Sequence, residues 1–425
     1  MEKTMTRPLR RTRAVSAASR LLPLLCGLFS LQGAQAAWTP RRPLLATQVS
    51  TPEAQPGQGI GIHSASSVYW TKAQETHNFI VGNLLTSYNS YRVNTTASTG
   101  TAYEWYNVSQ IDADAAMIQA GDSRYATYMN STYAWMNNMW DGANTLGGYF
   151  AAANINGTGS GGDKYVDDNA LTGVAYLDAY DVTTGATQAA YLNSAKACAN
   201  WLMYSGQWDS TYGGGFWWST VKESKPTQSN GLALQLFLRL YKITGQTYYR
   251  DWAVSIKNWL EARMYDSATG LYVWKIDGAG AGVRHNEKFT YDNAIMVEAF
   301  LLYSQVMGDN SYTTKAQTLG VKMNTTLWNS TYHVYIFNTA DGRVNPAWSG
   351  WGSQAMIKLY QRDGNPAWLD YAQQNIDYMN SKLRNAANNG YYTFCNFNGS
   401  GIDTRMEGVD QAWMQRIQAL LSNYR

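Results

Sequence analysis

A period of about sixty residues runs through most of this chain and limits what it can fold into. Glycines at Gly121, Gly185, Gly245, Gly308 and Gly364 stand 64, 60, 63 and 56 residues apart, each closing a run of helical character. Four of the five have an aromatic residue four positions later: Tyr125, Tyr249, Tyr312 and Trp368. Glycine at a helix C-terminus ends one helix, and the short turn after it starts the next. Each period therefore reads as a helical hairpin in a repeat architecture.

The two helices of a hairpin differ. After Gly245 the apolar positions are Tyr249, Trp252, Ala253, Ile256, Trp259 and Leu260, a three/four spacing with one buried stripe. Before Gly245 the run from Leu232 to Tyr241 is apolar nearly all round, and Ala294–Phe300 behaves similarly apart from Glu298. A striped helix lies outside, and one that is apolar all round must be enclosed. With flanking helices near Ser66–Tyr88 and Met406–Leu421, the count comes to about twelve. The expected fold is all-α, an (α/α)6 toroid of six inner and six outer helices over residues 63–425. A two-domain helical bundle fits less well, because no linker interrupts the repeat.

Inner-to-outer turns are short, whereas the outer-to-inner connections are long: roughly Asn138–Val166, Gly206–Thr227, Tyr265–Lys288, Asn329–Asn345 and Arg384–Arg405. Long loops in a compact domain usually carry function. The inner helices start where these loops end, so their N-termini, with their partial positive charge, should gather on one rim. That rim would hold Asp167-Asp168, Trp105-Tyr106-Asn107, Ser229-Asn230, Tyr291-Asp292-Asn293, Trp348 to Trp351, and Glu407 with Asp410.

The N-terminus reads as a processing segment. Arg7, Arg10, Arg11, Arg13 and Arg20 precede an apolar stretch, Leu21–Leu31, too short to span a bilayer, and Ala34-Gln35-Ala36 offers a small-residue cleavage site. Residues 1–36 are thus expected to be a signal peptide, and 37–62, with Pro40, Pro43, Pro52 and Pro56, a linker. The expected location is secreted, extracellular or periplasmic. The signal carries six Lys/Arg and one acid, so its removal takes the net charge from +3 to −2. That removes the electrostatic support for a nucleic-acid partner. No membrane association is expected after cleavage, and the chain is expected to act as a monomer. Cys198 and Cys395 could pair in an oxidising compartment, but two cysteines are no disulfide framework. Sequons at Asn94, Asn107, Asn130, Asn156, Asn324, Asn329 and Asn398 matter only in a glycosylating host.

Much chemistry is excluded by absence. His63, His77, His285 and His333 form no HExxH and pair with no cysteine at zinc spacing, so no metal site and no cofactor is expected. There is no GxSxG, and Gly157-x-Gly159-x-x-Gly162 lacks the βαβ context of a dinucleotide loop. What remains is the pair of carboxylates in Lys164-Tyr165-Val166-Asp167-Asp168-Asn169-Ala170. Taken alone, an Asp-Asp pair before a helix is more often a cap than a catalyst. Two adjacent carboxyl groups can nevertheless divide labour, because repulsion and unequal burial push their pKa values apart. Around them the rim is aromatic: Gly213-Gly214-Gly215-Phe216-Trp217-Trp218 lies in one long loop, and Trp105, Trp348 and Trp351 lie where others meet inner helices. Flat aromatic faces with scattered Asn and Asp suit sugar rings, although any one of these tryptophans serves equally as core.

The segments Tyr165–Ala170, Gly213–Trp218, Gln228-Ser229-Asn230-Gly231-Leu232-Ala233 and Phe289-Thr290-Tyr291-Asp292-Asn293-Ala294, in that order, resemble glycoside hydrolase family 76, the endo-α-1,6-mannanases. The resemblance is strongest over Tyr165–Leu319. It implies the same (α/α)6 fold, an α-mannan or mannose-containing polysaccharide as substrate, and a retaining double displacement. Asp167 would be the nucleophile and Asp168 the acid, then base. Substrate contacts are expected from Trp105, Asn107, Trp217, Trp218, Asn230, Tyr291, Asp292, Trp348 and Trp351. The alternatives are another (α/α)6 sugar enzyme (a uronyl hydrolase, lyase or epimerase) or a non-catalytic glycan-binding protein on this scaffold.

Overall fold

A computed structural model describes residues 67–97 and 100–425. The expected signal peptide and linker lie outside the described residues. Among the described residues twelve α-helices follow one another: α1 (Val68–Asn83), α2 (Glu104–Gln119), α3 (Ala126–Met136), α4 (Val166–Asp181), α5 (Gly185–Tyr204), α6 (Thr227–Thr244), α7 (Thr247–Trp259), α8 (Thr290–Met307), α9 (Ser311–Thr326), α10 (Pro346–Asp363), α11 (Pro366–Lys382) and α12 (Gly408–Leu421). The even-numbered helices pack side by side in a closed ring, with α12 against α2, and each odd-numbered helix backs its hairpin partner from outside. Helix α1 backs α12, so the two ends of the described chain complete the sixth hairpin. The expected (α/α)6 toroid is thus present.

Local sequence explains the hairpins. Gly245, Gly308 and Gly364 each sit just past an inner helix at φ near +70°, where a side chain would be strained, and donate an N–H to Tyr241, Ser304 and Tyr360. Among the described residues, no helix is long and apolar enough to cross a membrane. Cys198 and Cys395 are both buried and unpaired.

The six long connections share one build. Each opens on a short antiparallel bridge, between Leu85 and Tyr91, Trp140 and Tyr149, Trp208 and Phe216, Tyr265 and Tyr272, Trp328 and Tyr335, and Arg384 and Tyr391. The turn between is started by Thr86, Asp141, Asp209, Asp266, Asn329 or Asn385, whose side-chain oxygen accepts the N–H two residues on. The aromatic residue that closes the bridge is then held by an amide on the fourth residue of the next inner helix. Asn169 Oδ1 accepts from Tyr149 N (2.7 Å), and its Nδ2 donates to Tyr149 O (3.0 Å) and Tyr165 O (2.9 Å). Asn230 grips Phe216, Asn293 grips Tyr272 and Gln411 grips Tyr391 in the same way. Asn107 accepts from Tyr91 N and donates to Tyr103 O. Where the fourth residue is Ser349, the outer-helix residue Asn375 takes over: its Oδ1 accepts from Tyr335 N (2.9 Å) while Ser349 Oγ donates to Tyr335 O (2.8 Å).

A second ring links neighbouring loops. The first N–H of α2, α4, α6, α8 and α12 donates to the adjacent connection, at Ala151, Trp218, Trp274, Phe337 and Val93 respectively. Helix α10 starts with Pro346, which has no N–H to place. There Asn345 Nδ2 donates to Thr393 O (2.7 Å) instead.

The inner helices depart from the expectation of all-round apolar surfaces. About 12 Å or more beyond their N-termini, Asp112, Asp178, Arg239, Glu298, Gln354 and Arg416 face one another along the axis. Arg416 pairs with Asp112 and with Asp178 (3.2 Å), Arg239 pairs with Asp178, and Gln354 Nε2 donates to Glu298 (2.9 Å). Burial works against the Asp178 charge, but Arg239 and Arg416 hold its carboxyl below the usual range. Six helices around one axis bring polar residues into mutual reach, so charges that look isolated along the chain find partners.

Replacing Asn293 by alanine leaves the buried N–H and C=O of Tyr272 unpaired. The expected loss in urea unfolding is about 1–3 kcal/mol for each orphaned group. Val321→Ala, half exposed on α9, is expected to stay within about 0.5 kcal/mol of wild type.

Candidate active site

Asp167 and Asp168 are the second and third residues of α4, inside its first turn rather than before it. Asp167 is 8% exposed, and Asp168 is half-buried. Trp218 crosses from the next connection and donates its indole N–H to Asp167 Oδ2 (3.0 Å), while Oδ1 accepts no hydrogen bond. Gly214 and Gly215 make the approach of this loop possible. A Cβ on Gly215 would lie 2.4 Å from the Trp259 ring, and one on Gly214 would lie 2.9 Å from Trp208.

Three loops around the pair are clamped by a lysine two residues before the helix. Lys164 pairs with Asp141 (2.6 Å), Lys225 with Asp209 (2.9 Å) and Lys288 with Asp266 (2.9 Å). Each lysine thus reaches the aspartate that starts its own connection's turn.

The carboxylates gather from three helices. Glu104, the first residue of α2, is fully buried; its Oε1 accepts from Thr172 (2.8 Å), which lies one turn along α4 from Asp168. Asp292 on α8 is fully buried, and neither of its oxygens has a partner in hydrogen-bond geometry. Burial raises Asp167 to about 6, against the Trp218 indole and the peptide N–H groups of Asp167 and Asp168, which favour the charged form. Asp168 is pushed well above the ordinary carboxylate range, by burial first and then by the charge of Asp167. Glu104 is raised by burial and by Asp168, and Asp292 by burial and, more weakly, by Asp167. The adjacent acids therefore differ in the direction that leaves Asp167 ionised while Asp168 keeps its proton.

The residues expected to touch substrate fall into distinct groups. Trp218, Tyr291 and Asp292 belong with the pair: Trp218 by its hydrogen bond, and the other two because the Asp167 charge raises their pKa values. Trp105 is half-buried and edge-on to Tyr106 (4.9 Å). Trp348 is stacked on Phe337 (4.2 Å), and Trp351 is buried against Trp413 (4.3 Å). Asn107 and Asn230 are fully buried with their amides committed to loop main chain, so they act here as anchors. Trp217 turns inward, donating to Asp209 Oδ2 (2.7 Å) under the Lys225 ammonium. The residue that sequence reading passed over is Glu104; the signal available was its acid in the first turn of the first inner helix. Among the described residues no group of three His, Cys, Asp or Glu is placed to hold a metal ion.

Comparison with known proteins gives the family and the fold. The model of glycosyl hydrolase family 76 matches residues 71–345. The mannan endo-1,6-alpha-mannosidase DCW1 of Candida glabrata is 29% identical over 147 residues, 31% of this chain. The match spans about a third (32%) of that relative's length. A family 76 alpha-mannanase of Bacteroides thetaiotaomicron superposes with a TM-score of 0.74 at 20% identity, over 85% of this chain and 97% of its own. The alpha-1,6-mannanase of Salegentibacter sp. gives 0.67 at 20% identity, over 84% and 98%. An inactive variant of that enzyme, with two consecutive aspartates replaced by asparagine, is bound to alpha-1,6-mannotriose.

A raised carboxyl pKa in the folded state means that the folded protein binds more protons than the unfolded chain. Stability is then lost as pH rises from the unfolded value near 4 through about 6. Asp167→Asn is therefore expected to melt higher than wild type at pH 7, by roughly 1–3 kcal/mol, and the difference should vanish towards pH 4. Thermal unfolding across that range measures it. Trp218→Phe removes a donor to the charged form, so any activity limb set by Asp167 should move to higher pH.

Proposed function

The chain belongs to glycosyl hydrolase family 76, and we propose that it is a retaining endo-acting glycoside hydrolase that cleaves α-1,6-mannosidic linkages in mannan or mannose-containing glycans. The observation that carries this reading is the Asp167-Asp168 pair: two adjacent acids on the rim, unequal in proton affinity, one of them held by an indole N–H. The relative whose paired aspartates were replaced to give an inactive mannotriose complex supports the same assignment.

In this mechanism ionised Asp167 attacks the anomeric carbon while Asp168 gives its proton to the departing glycosidic oxygen. A glycosyl ester on Asp167 results. Asp168, now a carboxylate, takes a proton from water as the water displaces the ester, restoring the anomeric configuration and both protonation states. Retaining enzymes hold their two carboxyl groups about 5–5.5 Å apart, a separation open to neighbouring side chains that diverge from one helical turn. Trp218 fixes the orientation of the nucleophile and favours its charge. Burial and the charge of Asp167 keep Asp168 protonated before attack.

The cations near the rim favour a neutral sugar. A uronate enzyme needs a free positive group for the sugar carboxylate. Here Lys225 is bound to Asp209, His285 lies against Asp277 (2.8 Å), Arg405 pairs with Asp403 (2.7 Å), and Arg284 donates to Tyr265 O. With removal of residues 1–36, we propose that the enzyme acts as a monomer outside the cytoplasm, on polysaccharide too large to be imported.

Incubating the protein with α-1,6-mannan should release reducing ends of mixed length, with the α-anomer formed first by NMR. Asp167→Asn and Asp168→Asn should each lower kcat/KM by about 10²–10⁴-fold with helical circular dichroism unchanged. A β-anomer product would reject the double displacement, and full activity in either variant would reject the assignment of roles.

A further inference from the structure

A concave site whose lining does not include the acidic pair lies where the C-terminal end of outer helix α5 meets two of the long connections. Its volume is about 370 Å³, near the lower end of the ~300–1,000 Å³ typical of small-ligand sites. Phe150 and Tyr204 contribute aromatic faces, and Tyr204 is 63% exposed without a ring partner among the described residues. Ser205 and Gln207 line it as well.

Two features of these residues call for a ligand. Gln207 is 3% exposed, and its buried Oε1 accepts no hydrogen bond; the buried Ser205 Oγ likewise has no partner. An amide and a hydroxyl withdrawn from water and left unpaired are destabilising, and their presence needs a reason. The only full charges lining the pocket cancel: Lys164 Nζ is bonded to Asp141 Oδ2 (2.6 Å) and Gly147 O (2.6 Å), above the Phe150 ring. An ionic ligand therefore gains little here. An apolar one would leave Gln207 and Ser205 unpaired. A neutral polyol with an apolar face satisfies all of them: its hydroxyls donate to Gln207 Oε1 and exchange with Ser205 Oγ, and its C–H face lies on Tyr204 or Phe150.

We propose that this pocket is an accessory glycan site that holds one neutral hexose unit of the polysaccharide, outside the catalytic groove. Its ties to the active rim are covalent and short: Lys164 precedes Asp167 by three residues, and Thr220, which also lines the pocket, follows Trp218 by two. A polymer captured there is held beside the groove, raising its effective concentration at the carboxylates. The identity of the sugar rests on the α-1,6-mannan reading above.

The test is native electrophoresis through gels containing α-1,6-mannan, with Asp167→Asn as the uncleaving background. Adding Gln207→Leu or Tyr204→Ala should weaken retention by roughly five- to ten-fold, as for one lost hydrogen bond or aromatic contact. In the otherwise wild-type enzyme, the same two variants should raise KM on the polymer and leave kcat/KM on α-1,6-mannotetraose unchanged. Tyr204 is on the surface, so its variant keeps the test alive if Gln207→Leu unfolds. Unchanged retention in both variants means that the pocket holds water only and overturns the proposal. Parallel loss of tetraose cleavage also overturns it, because the effect would then lie in the groove. If the wild-type enzyme cleaves no α-1,6-mannan, the functional reading fails separately. Gels of β-mannan, xylan and glucan then decide the pocket: retention that Gln207→Leu weakens supports it, and no retention on any overturns it.

Discussion

The rest of the structure depends on a side-chain amide one turn into each inner helix. A carboxamide matches the main chain in having both a donor and an acceptor, so it can hold both polar groups of one residue in a neighbouring segment. Four helices use asparagine and one uses glutamine, while α10 uses Ser349 with Asn375 reaching in from the outer layer. The gripped residue is Tyr or Phe each time, and its ring packs among the helices while its backbone is held. Long loops with so little secondary structure would otherwise carry unpaired peptide groups into the interior. The amides pair them and fix where each loop leaves its bridge.

That fixed departure is what makes the site. Asn169 anchors the connection before α4 and stands directly after Asp167 and Asp168, so one helical turn carries both the anchor and the acids. Val166 N reaches Trp218 O (2.7 Å), and the Trp218 side chain reaches back to Asp167. The first contact sets the second. The buried carboxylates make this end of the toroid electrostatically unfavourable for folding, since Asp168, Glu104 and Asp292 are all driven towards the neutral form. The positive ends of the inner helices offset part of that strain.

Asp178 behaves in the opposite way deeper along the axis. Arg239 and Arg416 hold its carboxyl below the usual range, while burial still raises Asp112 beside Arg416. One toroid thus contains two buried polar layers of different character. The lower one sets two arginines among its acids, and the upper one is built of acids, most of them driven towards the neutral form. A cluster of that kind is unfavourable unless the fold tolerates shifted proton equilibria, which is the condition acid–base chemistry requires.

The sequence by itself determined the repeat, the alternation of enclosed and striped helices, the side on which the long connections gather, and the placing of Asp167-Asp168 there. All of these follow from periodicity and from local helix-ending chemistry, which a chain carries in its order of residues. It also determined that Asn107, Asn230 and Trp217 stand near that rim, but not which way their side chains turn. Only the tertiary structure decided that the asparagines face the loop backbone and Trp217 the Lys225–Asp209 pair, while Trp218, its neighbour, faces the carboxylate. Glu104 joins the acids only because α2 packs beside α4, and Arg416 meets Asp112 only because α12 closes the ring on α2. Contacts between residues some 300 positions apart depend on ring closure, and no local pattern in the chain records which side chains will meet across it.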